Sequence, residues 1–408
     1  MRVTIIGSYG YGNLGDELML DGVLAGIRRT VPEAKITVIS GDPKDTSKSH
    51  RVHSIGRGGG SSVRLRRFWE LVRSDLFLVG GGNVRDQLPG TLQPSQPNAL
   101  SVWLGQVLLA HEIGVPTMCY AISIGHILTP EGGEVLRDCL GKVDAISVRD
   151  SASATRISEL GVKREVVVAA DAAFSVIPAP QLPATRRGLV ISLRHWYEKG
   201  NYVEDEETFG RMIHETAEFC DIFFERHGEP IWLVPFKATD ADNDCDTVIH
   251  KELVDQVRHR EGIRLLDRVP DLNTALPIFA TARLVLGMRL HSIILATAVG
   301  TPWVAISYDP KVRAFAQYAK QDRFSLEVNE VSAQKLSELE KVVSADEKGI
   351  SKSLGSVSDE LRFLERRNAE AASAVLRIRP PESGLRKVVV RSFRLLRHEL
   401  GQGRTQQP

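Results

Sequence analysis

Four side chains suited to binding and protonating a small anion follow predicted strands in this sequence. Arg289 and His291 flank one leucine directly after a β-branched run, and Lys311 follows the next run. Arg149 lies at the end of an earlier run. Arginine forks match carboxylate and phosphate oxygens, and an imidazole exchanges protons near neutral pH. If the chain is extended through residues 287–291, Arg289 and His291 share one face, so we expect a site for a small polyanion where these strand ends meet.

A glycine-rich loop follows the first predicted strand. Gly10, Gly12 and Gly15 have the spacing GxGxxG, which is typical of dinucleotide-binding loops. Three residues separate the strand end from Gly10, and the charges of Asp16 and Glu17 would repel a pyrophosphate. We therefore expect a loop whose backbone approaches a ligand, while the two acids cap a helix or bind a hydroxyl.

A second glycine-rich segment, GGGNVRD at residues 80–86, directly follows another predicted strand. Three glycines at a strand end indicate unusual φ angles or a close approach of the backbone. A tight turn would account for one or two of them, whereas the carboxyl end of a central strand favours a ligand site.

Short β-branched runs alternate with helical stretches along most of the chain. The runs are continuous in hydrophobicity, which is typical of an α/β fold whose parallel sheet is covered on both faces. A Pro-rich stretch at residues 177–188 divides them into two series, which predicts two doubly wound domains with ligands bound in the cleft between them. We place an N-terminal α/β domain at residues 1–180, a C-terminal α/β domain at 181–345 and a helical, basic extension at 346–408. Residues 331–375 are expected to be helical and to pack back across the domains.

Composition excludes several classes of protein. The chain has 52 Lys and Arg against 51 Asp and Glu, and a net charge of +1 argues against binding nucleic acid. Hydrophobic residues make up 42%, which excludes disorder for the bulk of the chain. Four cysteines without CxxC spacing predict reduced, mostly buried thiols in a cytoplasmic protein and no metal site. No apolar run is long enough to predict a signal peptide or a membrane span.

The sequence resembles the polysaccharide pyruvyl transferases over about residues 3–316. The shared motifs occur in the family's order and spacing: YGNLGDELML, GGGN, ISVRDSAS, AADAAF, ISLR, GMRLHSIILATAVGTP and ISYDPKV. The pairing of MRLH with ISYDPK is the most specific of them. One departure is AISIGHIL at residues 121–128, where relatives usually have a Gly-Pro segment and this chain has His126 in place of the proline.

The resemblance implies both a fold and a reaction. It implies two facing Rossmann-like domains, as in the glycosyltransferase-B architecture. It also implies transfer of the enolpyruvyl carbons of phosphoenolpyruvate onto two hydroxyls of a sugar, which forms a pyruvate ketal and releases phosphate without a cofactor. On this basis Arg149, Arg289, His291 and Lys311 fall on the phosphoenolpyruvate site, with His291 and Arg289 as the catalytic pair.

The acceptor is then expected to be a sugar of a cell-surface glycan or of its precursor, with the first domain on the acceptor side. The candidates for binding it or acting as a base are Asn13, Asp16, Glu17, Asn83, His126 and Asp171. Asp171 could equally cap a turn.

Two basic segments could bring the protein to a membrane. The tail at residues 376–408 has eight Lys and Arg against two acids, and it could form a basic amphipathic helix that docks on anionic lipid or remain a solvated terminus. Docking would place a cytoplasmic enzyme at the inner face of the membrane and would suit a lipid-linked acceptor. Five arginines between Arg57 and Arg73 face one acid, Glu70; they could meet the same surface or an acceptor's phosphates, or form a solvated face.

Three other functions are compatible with parts of this pattern. A nucleotide-sugar glycosyltransferase would share the architecture but would need an aromatic base platform and a ribose-binding acid, for which we find no clear pair. A non-catalytic sugar-phosphate binding protein of a surface-polymer assembly would not need a proton donor, so His291 together with Lys311 favours an enzyme. The hypothesis of a dinucleotide oxidoreductase is supported only by the GxGxxG spacing of the glycines.

Overall fold

The computed structural model describes residues 1–58, 60–84, 99–125, 129–180, 183, 185–195, 205–238, 245–378 and 390. These residues form two parallel β-sheets, each covered by helices. The continuous apolar runs of the sequence are the buried strands of both sheets, as a parallel sheet covered on both faces requires.

The first sheet is built from the N-terminal part of the chain. Its strands are β1 (Arg2–Ile6), β2 (Lys35–Ser40), β3 (His53–Gly56), β4 (Leu76–Val84), β5 (Thr117–Ile124), β6 (Ala145–Val148) and β7 (Val166–Val168). The helices between them are α1 (Leu14–Thr30), α2 (Pro43–His50), α3 (Ser61–Arg73), α4 (Ala99–Glu112), α5 (Pro130–Lys142) and α6 (Ser151–Glu159), and a 3-10 turn spans Ala172–Ser175. The strand order is β3-β2-β1-β4-β5-β6-β7, so the order reverses between β1 and β4.

The second sheet repeats this winding after the Pro-rich stretch. Its strands are β8 (Leu189–Ser192), β9 (Ile231–Leu233), β10 (Ile263–Leu265), β11 (Leu284–Gly287), β12 (Trp303–Ser307) and β13 (Ser325–Glu327). The accompanying helices are α7 (Glu206–His227), α8 (Asp246–Gln256), α9 (Leu272–Thr281), α10 (Leu290–Ala298), α11 (Pro310–Tyr318) and α12 (Ala333–Ala345). The order β10-β9-β8-β11-β12-β13 reverses between β8 and β11. Ligands bind at such reversals in open α/β sheets.

A long final helix, α13 (Glu347–Ile378), connects the two domains. Near its start, Glu347 lies 3.6 Å from Arg186 in the connection to β8. Further along, Asn368 donates a hydrogen bond to the carbonyl of Ala170 at 3.0 Å, and Glu365 pairs with Arg29 of α1 at 3.3 Å. The prediction that this region is helical and packs back across the domains is confirmed.

The structure differs from the sequence expectation at the sheet edges. Two of the four edge strands, β3 and β13, have only four and three residues, and the sequence pattern predicts no strand at either place. The apolar run REVVVAADAAF at residues 164–174 predicts one strand. In the structure the strand ends at Val168, and the last residues of the run form the 3-10 turn, where Asp171 accepts a hydrogen bond from the Ala173 amide.

Two simpler predictions can be compared with the described residues. All four cysteines are buried, and none of them forms a disulfide. Within the ranges given above, no helix combines the length and the apolar character that crossing a bilayer would require.

Candidate active site

The strand reversals of both sheets bring the candidate residues together. Asn83 ends β4, Arg149 follows β6, and Arg289, His291 and Lys311 follow β11 and β12. The two domains meet beside these strand ends: the Leu14 amide donates to the Phe236 carbonyl at 2.8 Å, and Asn13 forms a backbone bridge with Lys237. The candidate residues therefore lie around one junction between the two domains.

Arg289 and His291 lie at the start of a helix, so the condition of an extended chain through residues 287–291 is not met. Strand β11 ends at Gly287 and α10 begins at Leu290. The Ser292 amide and hydroxyl both donate to the Arg289 carbonyl, at 2.9 and 2.6 Å, which closes the first turn. A helix N-terminus favours an anion through its free amides and its dipole, so this geometry suits an anion better than the predicted strand.

A buried aspartate holds the Arg289 guanidinium in place. Arg289 Nε lies 3.1 Å from both carboxylate oxygens of Asp246, the first residue of α8. Asp246 is fully buried, and one of its oxygens also accepts from the backbone amides of Phe236 and Lys237 at 2.9 and 3.0 Å. Sequence reasoning missed Asp246, because it lies 43 residues from Arg289 and nothing in its own surroundings singles it out.

The His291 imidazole is enclosed by groups of the first domain. A Cβ atom added to Gly15, in the first turn of α1, would lie 2.1 Å from His291 Nδ1. On the other side of the ring, Nε2 lies 3.5 Å from Asp171 Oδ2. Only 13% of the His291 side chain is exposed. The third glycine of the GxGxxG pattern is therefore required by packing against the imidazole.

Asp171 joins His291 to Arg149. Arg149 Nη1 donates to Asp171 Oδ2 at 2.8 Å, and its Nη2 donates to Ser123 Oγ at 2.8 Å. Burial would raise the pKa of Asp171, but the nearby His291 ring and the charge of Arg149 hold that pKa well below its usual range. The carboxylate stays ionised beside the imidazole, and its other oxygen caps the 3-10 turn at Ala173.

Asp16, in the first turn of α1, is affected by the charges of these residues. Burial raises the pKa of Asp16 to about 6, although the charges of His291, Arg149 and Arg289 act in the opposite direction. Asn13, by contrast, caps α1, since its side-chain oxygen accepts from the Gly15 amide at 3.0 Å.

Glu17 is engaged within the first domain. One oxygen accepts from the Gly10 amide at 2.7 Å, and the other lies 2.8 Å from His50 Nε2. Asp21 lies 2.6 Å from the other ring nitrogen of His50. Burial would lower the pKa of His50, but these two carboxylates raise it to about 9. Glu17 therefore uses both oxygens to fix the loop after β1 and to bind His50, and sequence reasoning did not anticipate the histidine.

The GGGN segment forms the end of β4. A Cβ on Gly80 would lie 2.7 Å from the Tyr9 hydroxyl, and Gly81 has a φ of +34° and faces Met19 of α1. Asn83 lies next to the Arg149 side of the cleft, with its Oδ1 3.4 Å from the Ser123 hydroxyl. Close packing against α1 and the loop before it thus accounts for the glycines, while Asn83 reaches the site.

Lys311 belongs to a second cationic group beside Tyr308. Lys311 Nζ lies 3.3 Å from Asp309 Oδ2 and 5.2 Å from the centre of the Tyr308 ring. Arg194, which follows β8, donates to the Tyr308 hydroxyl at 3.0 Å. Burial raises the pKa of Tyr308, but the charges of Lys311, Arg194 and, to a lesser extent, Arg289 lower it to about 8. Arg194 was visible in the ISLR motif but was not singled out.

Two predictions lie outside the described residues. They are the candidate acceptor residue His126 and the basic tail, of which the structure describes only residues 376–378 and 390.

Comparison with known proteins identifies relatives of this chain. The family model for polysaccharide pyruvyl transferase matches residues 13–310. The amylovoran biosynthesis protein AmsJ of Erwinia amylovora is 22% identical over 368 residues, which cover 76% of this chain and 84% of that protein.

Solved structures share the fold at low sequence identity. A UDP-GlcNAc 2-epimerase from Neisseria meningitidis has a TM-score of 0.59 at 10% identity and covers 92% of this chain and 99% of its own. A glycosyltransferase from Rickettsia africae has a TM-score of 0.56 at 10% identity and covers 92% and 98%. These likenesses show the two-domain glycosyltransferase-B-like architecture, and the expected fold is confirmed.

Proposed function

The chain belongs to the polysaccharide pyruvyl transferase family, and we propose that it transfers the pyruvyl group of phosphoenolpyruvate to two hydroxyls of a sugar. The product is a pyruvate ketal on a cell-surface glycan or on its precursor, and inorganic phosphate is released. The observation that carries this proposal is the enclosed imidazole of His291 beside Asp171 and Arg149, with Arg289 and Lys311 at the ends of neighbouring strands of the second sheet.

The cations suit a donor with a carboxylate and a phosphate. Arg149 and Arg289 offer planar forks that Asp171 and Asp246 hold in fixed orientations. Lys311 adds a point charge at the start of α11. Such preorganised charges orient the enol and stabilise the leaving phosphate without reorganisation during the reaction.

His291 is the proposed proton donor. Its proton goes to the methylene carbon of phosphoenolpyruvate, which becomes a methyl group and leaves C2 cationic. The Asp171 carboxylate, 3.5 Å from Nε2, orients the ring before transfer. No metal or redox cofactor takes part in this step.

Ketal formation then needs two attacking hydroxyls and the loss of one leaving group, phosphate. The first sugar hydroxyl attacks C2 and loses its proton, the bond from C2 to the phosphate oxygen breaks, and the second hydroxyl attacks C2 and loses its proton. Asp16 is the proposed base for a hydroxyl, because a carboxylate with a pKa of about 6 accepts protons effectively near neutral pH. Asn83 is placed at the end of β4 to bind the acceptor.

Phosphate release from phosphoenolpyruvate, measured with and without a panel of sugar acceptors, tests this function. We expect release that depends on one class of acceptor and that the Arg289→Ala variant largely loses. Binding of phosphoenolpyruvate, measured by calorimetry on the same samples, checks the donor independently. A protein that neither binds phosphoenolpyruvate nor releases phosphate would contradict the proposal.

A further inference from the structure

The outward face of α3 presents two large apolar side chains to solvent. Leu65 and Trp69 are 57% and 37% exposed. They lie four residues apart, so they share one stripe of the helix, and Arg73 continues that stripe by another turn. The guanidinium carbon of Arg73 lies 6.0 Å from the centre of the Trp69 ring. The helix packs into the first domain through the buried Leu71 and Val72, so folding does not require the exposed stripe.

Positive charge surrounds this stripe. Arg64 and Arg66 are exposed on either side of Leu65 in the sequence. The one carboxylate of the helix, Glu70, accepts a hydrogen bond from the Thr37 hydroxyl of β2 at 3.4 Å. That contact draws Glu70 toward the sheet, and within the described part of the chain Glu70 forms no ion pair with Arg64, Arg66 or Arg73.

Only the start of α3 lies on the edge of the first domain that carries the candidate site, because the helix runs back across the sheet and Asp75, which follows it, bonds to Arg2 at the start of β1. Helix α3 follows the carboxyl end of β3, and Arg57 lies in that connection. The Arg57 guanidinium carbon is 5.9 Å from the centre of the Tyr11 ring, which belongs to the loop between β1 and α1. Arg67 of α3 donates a hydrogen bond to the Arg57 carbonyl. The start of α3 is therefore close to the loop that leads to Asp16, whereas Arg73 lies toward the other end of the sheet.

We propose that α3 docks this protein onto an anionic membrane surface. Leu65 and Trp69 enter the boundary between headgroups and acyl chains, where tryptophan and leucine beside arginine are favoured. Arg64, Arg66 and Arg73 face the headgroups and gain from the negative surface potential of anionic lipids. The docking does not depend on which reaction the cleft performs.

Charge complementarity selects a membrane over a second copy of the chain. A two-fold contact between copies would place the same patch on both sides. The arginines around Leu65 and Trp69 would then oppose one another, and like charges in an interface are unfavourable. An anionic bilayer presents the opposite charge and an apolar layer beneath it.

Vesicle flotation of the full chain tests the proposal. The vesicles are phosphatidylcholine alone or phosphatidylcholine mixed with phosphatidylglycerol. The test variants are Leu65→Glu with Trp69→Glu, and separately Arg64→Gln with Arg66→Gln and Arg73→Gln. The matched control is Val342→Glu, which makes the same apolar-to-acid change at a position of α12 that is 46% exposed. Circular dichroism confirms that each variant is folded.

We expect binding to the vesicles with phosphatidylglycerol, little binding to phosphatidylcholine alone, and a loss of at least tenfold in both α3 variants. The Val342→Glu control should bind like the wild type. Binding that both α3 variants retain would overturn the proposal, because the basic tail, still present, would then account for it. Absence of binding by the wild type, or equal binding to neutral vesicles, would overturn it as well.

Discussion

Gly15 of the first domain and His291 of the second are in direct contact across the cleft. A Cβ atom on Gly15 would lie 2.1 Å from His291 Nδ1, and Asp171, also from the first domain, lies 3.5 Å from Nε2. The proposed proton donor is thus carried by one domain and positioned by the other. This arrangement makes the proposed chemistry sensitive to changes that leave the imidazole itself intact.

Gly15→Ala is expected to lower kcat about 100-fold, because the added methyl group displaces the His291 ring and misplacement by about 1 Å can cost that much. Steady-state kinetics and a thermal melt would measure the effect on activity and on folding. Gly210→Ala is the matched control, since Gly210 lies in α7 with no atom within 4 Å of an added Cβ. The control should keep its activity, and normal kcat in Gly15→Ala would show that the ring position is unimportant.

Arg289→Lys is expected to weaken phosphoenolpyruvate binding by roughly 10- to 100-fold, because lysine keeps the charge but loses the planar fork that Asp246 orients. Calorimetric titration with phosphoenolpyruvate measures this directly. Arg313→Lys is a suitable control, since Arg313 pairs with Glu327 on an exposed surface. Unchanged affinity in Arg289→Lys would remove Arg289 from the donor site.

Asp16→Asn is expected to change the pH dependence of kcat. In the wild type, Asp16 becomes a base as the pH rises through its pKa of about 6, so kcat should rise across that range. The variant should not show this rise, and its kcat should be about 10²- to 10⁴-fold below that of the wild type, as expected when a general base is missing. A variant that keeps the acidic limb of the profile would assign the titration to another group.

His50→Gln removes the ring that lies between Glu17 and Asp21 of α1, and the free energy of unfolding should report the loss. The folded-state pKa of about 9 lies above the unfolded value of about 6.5, so protonated His50 stabilises the fold below pH 6.5 and loses this effect as the pH rises to 9. The contribution is at most roughly 3 kcal/mol. Denaturant unfolding at several pH values should show this decline in the wild type and not in the variant. Parallel curves for both proteins would mean that His50 does not titrate in this range.

The interior of the fold was predictable from sequence because its strands are continuous apolar runs. The edge strands β3 and β13 were not, because each has only one large apolar residue, Ile55 or Leu326, whereas the equally short edge strands β7 and β10 lie in longer apolar runs. The AADAAF motif resembles a strand because most of its residues are apolar. The sequence pattern does not show that Asp171 caps a 3-10 turn there.

The site was predictable as a set of residue types and less so as a geometry. Arg149, Arg289, His291 and Lys311 stood out as cations and an imidazole at strand ends. Helix α10 begins at Leu290 because of backbone hydrogen bonds, and the pattern of apolar and polar residues does not predict them. Asp246 and His50 act only through partners that are distant in sequence, so only the folded chain shows what they do.

The most direct test of the central claim follows the carbons of the donor. Phosphoenolpyruvate labelled in its pyruvyl carbons is incubated with an acceptor that supports phosphate release, and the labelled product is examined by NMR. We predict a ketal methyl group on the sugar, formed in equal amount to the phosphate, and a fall of about 10²- to 10⁴-fold in its rate of formation for His291→Ala with phosphoenolpyruvate still bound. Phosphate release without labelled sugar, or an undiminished rate in His291→Ala, would contradict the account.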